Sequence, residues 1–139
     1  MAMQTTVERV EVRVPVTVMA LSGELDASNY LRLVDDVRPL YDAGARNLLL
    51  DLADLTFISS SGLVSLYSIL KVMQGQEPPD PEYGWSALHT MEQDTEDGTT
   101  QDVVRLCALQ PAVAGVLQRT GLEAMFPSYP DRESALAAF

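Results

Sequence analysis

Three consecutive hydroxyls, Ser59-Ser60-Ser61, followed by Gly62, are the residues whose types and spacing could carry chemistry in this chain. Before them runs a strongly apolar segment, Asn47 to Leu52. After them Leu63, Leu66, Tyr67, Leu70 and Met73 recur at helical spacing, which predicts a second helix that starts at the serines. The amino end of a helix offers unpaired N–H groups and partial positive charge, and both suit a hydroxyl cap or an added phosphate. Capping accounts for one serine. Two further hydroxyls, with Gly62 removing a side chain where another molecule can approach, point to a contact surface whose charge can be changed.

Nucleophilic chemistry fits poorly. A G-x-S-x-G elbow centred on Ser60 needs glycine where Ile58 stands, and the sole histidine, His89, lies in an acidic stretch far along the chain. There is no G-x-x-x-x-G-K-[ST] run for a nucleotide, and nothing else resembles a catalytic centre. The expectation is a chain that is not an enzyme and takes no cofactor.

The scaffold for the serine turn has to be one domain. A length of 139 residues with 47% hydrophobic and 21% charged residues supports a single core without staples. No apolar run approaches the roughly 18 residues of a membrane-spanning helix, so membrane insertion is not expected. The start of the chain lacks a basic segment followed by an apolar one, which makes the cytoplasm the expected location. Cys107 is the only cysteine, leaving no internal disulfide and no Cys-rich zinc site; among Val103, Val104 and Leu106 it is expected to be buried and inert.

The formal net charge of -11 repels a phosphate backbone, so nucleic acid is not an expected partner. That charge is concentrated: residues 75–102 hold Glu77, Asp80, Glu82, Glu92, Asp94, Glu96, Asp97 and Asp102 with no Lys or Arg, among Pro78, Pro79, Pro81, Gly84 and Gly98. Such a composition reads as an inserted mobile loop, or as a docking arm with Trp85 and Leu88 as anchors. Asp94, Glu96 and Asp97 do not make a calcium loop, because the twelfth position from Asp94 is Arg105 rather than Glu. No metal site is expected.

Elsewhere the pattern alternates strand and helix. Val10, Val12, Val14, Val16 and Val18 share one parity, predicting strand with one buried face that Pro15 divides into two. Ser28 is the expected N-cap of a first helix carrying Tyr30, Leu33, Val34, Val37 and Leu40, which ends near Gly44 with Pro39 kinking or stopping it early. Asn47 to Leu52 predicts a central strand buried on both faces. Val103 to Leu109 predicts another strand. A third helix opens at Pro111 and closes at Gly121, and a last one spans about Asp131 to Phe139. This is an α/β grammar: a sheet parallel except at its N-terminal edge.

The run Leu50-Asp51-Leu52-Ala53-Asp54-Leu55-Thr56-Phe57-Ile58-Ser59-Ser60-Ser61-Gly62-Leu63 resembles the signature of STAS domains, the anti-sigma factor antagonist family. Gly23-Glu24-Leu25-Asp26 is similar to that family's turn before the first helix, and Pro111-Ala112-Val113 through Thr120-Gly121-Leu122 to its third helix. The resemblance covers residues 7–74 and 103–139. It implies a single STAS-like domain with a mixed, mostly parallel sheet of four to five strands and helices mainly on one face.

It also implies an anti-sigma factor antagonist without catalysis of its own, whose partners are an anti-sigma factor that is also a serine kinase and a PP2C-type phosphatase. By position, Ser60 matches the phosphorylated serine. The implied binding surface comprises Asp26, Ser28, Ser59, Ser60, Ser61, Gly62 and Leu63. Ser59 stands where the family pattern has aspartate, which leaves Ser59 as a competing acceptor. The other reading is a scaffolding STAS subunit of a stress-signalling or lipid-transport complex, with the serine turn a passive contact.

Overall fold

The computed structural model describes residues 3–76 and 103–139. Apart from Gly75 and Gln76, the acidic insert lies outside the described residues, and with it Trp85, Leu88, His89 and the Asp94, Glu96 and Asp97 group. Five strands form one sheet in the order β1-β2-β3-β4-β5: β1 (Gln4–Glu11), β2 (Pro15–Leu25), β3 (Leu48–Ile58), β4 (Val104–Cys107) and β5 (Ser128–Tyr129). β1 is antiparallel to β2 and every other pair is parallel, the arrangement expected from the alternating pattern. The helices are α1 (Tyr30–Asp42), α2 (Ser60–Met73), α3 (Pro111–Thr120) and α4 (Arg132–Ala137), with a 3-10 turn at Leu122–Met125.

The central strand is buried on both sides. Leu48, Leu50 and Leu52 join the main core with α1, α2 and α3, while Leu49 packs on the opposite face with Val16, Val18, Cys107 and Ala135 of α4. Period two along the strand sends successive leucines to opposite faces, so a continuous apolar run needs cover on both. Among the described residues three helices cover the main face, and the short α4 covers part of the other. Arg132 fastens it there: its Nε and Nη2 donate to Asp51 Oδ2 at 3.0 and 2.9 Å, and Nη1 pairs with Glu8. Replacing Arg132 with Ala is expected to lower the unfolding free energy by about 1–2 kcal/mol, since a two-pronged charged contact on half-buried Asp51 outweighs an open surface pair. Urea titration checks this, and an unchanged midpoint would remove the clamp.

Cys107 is buried as expected; loss of solvent, helped by the Asp51 carboxylate, pushes its thiol pKa up to about 11.

Four sequence expectations change in detail. Val12 and Val14 do not continue a buried face: they lie in the turn between β1 and β2, where the Val12 amide donates to the Val14 carbonyl at 3.2 Å, and both are exposed. Pro39 does not stop α1 early: the helix runs on to Asp42, and the chain turns away at Gly44 (φ +112°), near the end expected for it. The carbonyl that Pro39 deprives of a donor belongs to exposed Asp35, where water can serve it. β4 stops at Cys107 rather than Leu109, because Ala108 takes a left-handed φ of 58° that breaks the ladder. β3 continues past Leu52 to Ile58, held by β2.

Candidate functional site

Because β2 and β3 are parallel neighbours, the helices that follow them begin at the same edge of the sheet. Leu25 and Ile58, the last residues of the two strands, are paired, and the Ser59 amide donates to the Leu25 carbonyl at 2.9 Å. The serine turn and the Asp26 turn therefore lie side by side, a juxtaposition that chain order alone does not give.

Ser59 is the N-cap of α2: its backbone is extended and its Oγ accepts from the Gly62 amide at 3.2 Å. That hydroxyl is occupied in holding the turn, as a cap residue's must be. Ser60 is the first helical residue; it is exposed, and no described residue hydrogen-bonds its hydroxyl. Ser61 is half-buried. The first turn of α2 contains no acidic side chain, so the positive end of this long helix is left without a compensating carboxylate of its own.

Gly62 and Leu63 turn the other way, contrary to the expectation for Gly62. Both are buried, and a Cβ placed on Gly62 would stand 2.6 Å from Ile58 Cγ1 and 2.9 Å from the Leu25 carbonyl oxygen. The missing side chain admits the ends of β2 and β3, not an outside molecule. Its effect on the surface is indirect: close packing there fixes where Ser60 emerges.

Across the turn, Asp26 Oδ1 accepts from the Ser28 amide at 2.9 Å and from the Ser28 hydroxyl, and these bonds hold the Asp26 pKa below its usual value. Ser28 thus does not cap α1. The N-cap position falls to Asn29 instead. It is 7% exposed; its Oδ1 accepts from the Asp26 amide at 3.0 Å and its Nδ2 donates to the Glu24 carbonyl at 2.8 Å. Asn29 holds the N-cap position without a side-chain cap hydrogen bond, and its amide ties the turn back to Asp26 and Glu24 instead. Asp26 and exposed Ser28 remain at the surface beside exposed Ser60. No cluster of three His, Cys, Asp or Glu suited to a metal exists among the described residues, and no helix among them is long and apolar enough to cross a membrane.

A parallel sheet edge with two helix starts and a capped serine turn is the architecture of a known class. The STAS domain family model matches residues 8–77, and the chain belongs to that family. Over 122 residues it is 27% identical to BtrV of Bordetella bronchiseptica, named as a candidate anti-sigma factor antagonist, an alignment that covers 88% of this chain and 84% of BtrV. The crystal structure of an anti-sigma factor antagonist from Mycobacterium paratuberculosis superposes with a TM-score of 0.67 at 23% identity, covering 99% of this chain and 93% of that one. The Bacillus cell fate determinant SpoIIAA in its phosphorylated form gives a TM-score of 0.60 at 15% identity, covering 97% and 98% of the two chains.

Proposed function

We propose that the protein is an anti-sigma factor antagonist, a non-catalytic binding module that docks on an anti-sigma factor with serine-kinase activity through Asp26, Ser28 and the serine turn, and is switched by phosphorylation of Ser60. One observation carries the choice of residue: Ser59 spends its hydroxyl on the Gly62 amide, whereas Ser60 is exposed at the start of α2, whose own first turn carries no acid. Membership of the STAS family and the likeness to BtrV support the antagonist role. The phosphorylated form of SpoIIAA, which shares the fold, supports a scaffold that accommodates a phosphate. A PP2C-type phosphatase is the proposed eraser, and the cytoplasm, where sigma factors work, the proposed compartment.

In this reading Gly62 and Leu63 belong to the switch as supports behind the surface. The test is incubation with the purified anti-sigma factors of the source organism and ATP, followed by intact-mass measurement and peptide mapping. One phosphate at Ser60, abolished by Ser60→Ala and undiminished by Ser59→Ala in molecules that remain folded, is expected. Complex formation without any modification would favour the scaffolding reading, and phosphate on Ser59 would move the switch.

A further inference from the structure

Among the described residues five large apolar side chains are exposed: Val7, Val12, Val14, Leu31 and Phe57. The first three ride on the β1–β2 hairpin. The other two lie toward the opposite end of the sheet, Phe57 in the strand that leads into the serine turn and Leu31 in the helix that follows the Asp26 turn. Phe57 is three residues before Ser60, hence within about 11 Å of it along even a fully extended chain. Leu31 lies in the first turn of α1, just beyond the Asp26 turn.

Their exposure has a backbone cause at Phe57. The register of β2 against β3 shifts between Gly23 and Glu24, so Gly23 pairs with Leu55 and Glu24 with Phe57; Thr56 is passed over, its hydroxyl donating to the Gly23 carbonyl at 3.0 Å. An extra residue of this kind bends a strand and re-aims its side chains. Here it turns two successive residues outward: Leu55 and Ile58 are buried, and Thr56 and Phe57 between them are exposed, Phe57 at 46%. A phenylalanine on a regular β3 would alternate with its neighbours instead.

The charge around this pair is one-sided. The acids near it are Glu24, which pairs with Phe57 across the strands, Asp54 and Asp26, whereas Asp51 lies further down β3 and is paired with Arg132; the one Lys or Arg in residues 20–33 and 51–64 is Arg32. Arg32 is engaged with the Met3 carbonyl at 3.1 Å and Asp36 at 3.8 Å. Apolar anchors within an acidic rim match a partner of the converse kind, an apolar pocket bordered by Lys and Arg. A standard interface takes about 800 Å² from each partner, wide enough to include Phe57 together with Ser60 about 11 Å or less away.

We infer that Phe57 and Leu31 are the apolar anchors of the docking surface, seated beside the serine switch in a basic-rimmed pocket of a protein partner. This rests on the docking role proposed above for the serine turn. A second copy of the chain fits less well, since it would bring one acidic edge against another, and an anionic bilayer is repelled for the same reason.

The experiment titrates the full chain by calorimetry against whichever purified anti-sigma factor binds its Ser60→Ala variant. Phe57→Ala is expected to weaken binding by about thirtyfold or more and Phe57→Leu by much less, as for a central aromatic anchor. Leu31→Ser should weaken it several-fold, Val12→Ser on the far hairpin should leave it unchanged, and added salt should weaken the wild-type complex. Phe57→Ala should keep a wild-type melting curve, because the ring is outside the core. Wild-type affinity in folded Phe57→Ala, with Ser60→Asp still defective, overturns the anchors and leaves the switch standing. The converse pattern overturns the switch and leaves the anchors. Phe57-dependent self-association, or Phe57-dependent binding to phosphatidylserine vesicles, assigns the patch to another occupant and overturns the proposal, and no binding by any purified anti-sigma factor overturns both readings.

Discussion

A phosphate on Ser60 is expected to weaken docking of the anti-sigma factor several hundredfold while the domain melts at nearly its unmodified temperature. The two halves of that expectation have separate causes. Stability is spared because Ser60 is exposed at the start of a 14-residue helix whose first turn carries no acid, where a phosphate of about -1.5 to -2 charges meets the positive helix end instead of opposing it. Binding is lost because a partner that covers the turn must strip water from a dianion, and a penalty of about 3–4 kcal/mol is a several-hundredfold change in affinity. Calorimetric titration of the unmodified, phosphorylated, Ser60→Ala and Ser60→Asp forms measures it. Ser60→Ala should bind like the unmodified chain, and Ser60→Asp, with one charge, should fall between. Equal affinities across the four would remove the switch while leaving the fold untouched.

Substituting Gly62 acts on the opposite side of the same turn. Gly62→Val is expected to destabilise the domain by about 3 kcal/mol, the upper part of the range for overpacking a filled core. For a chain of this size that is a fall of roughly 10 °C in Tm. The reason is where the new atoms go: the Cβ alone would meet Ile58 Cγ1 at 2.6 Å and the Leu25 carbonyl oxygen at 2.9 Å, and a backbone oxygen at a strand end cannot swing aside as a side chain tip can. Relief requires the start of α2 to lift from the sheet, which carries Ser60 with it, so the variant should lose docking as well as stability. Gly62→Ala should show a smaller fall of the same kind. Thermal unfolding followed by circular dichroism decides it, and a wild-type Tm in both variants would mean that the turn is not packed against β2 and β3.

The acidic rim and the serine turn differ in how far the chain announces them. The serine turn, the strands Pro15 divides, the Pro111 start and the Gly121 end of α3 are local facts: a prolyl ring, a left-handed φ of 76° at Gly121, a run of hydroxyls before an apolar period of 3.6. Each is settled within a few residues, so each was legible. Asn29 over Ser28 at the start of α1 was not, because neither side chain caps the helix: Ser28 bonds Asp26 and Asn29 bonds Asp26 and Glu24, so the helix start follows the backbone path and not a cap signal. Nor was the inward face of Gly62, since a glycine in a sequence shows only that a side chain is missing and not which neighbour fills the space.

The sequence by itself determined the order of strands and helices, the double-sided burial of Leu48 to Leu50 and the family signature through Ser60, because periodicity and turn chemistry act over one or two turns of chain. Only the tertiary structure decided that Asp26 and Ser60 share an edge, that Ser59 rather than Ser60 gives up its hydroxyl to the cap, and that Phe57 faces water. Those outcomes depend on the register of β2 against β3 and on contacts between residues more than thirty positions apart, such as Thr56 with Gly23. Pairing across that distance is fixed by what packs best in three dimensions, and no local pattern encodes it.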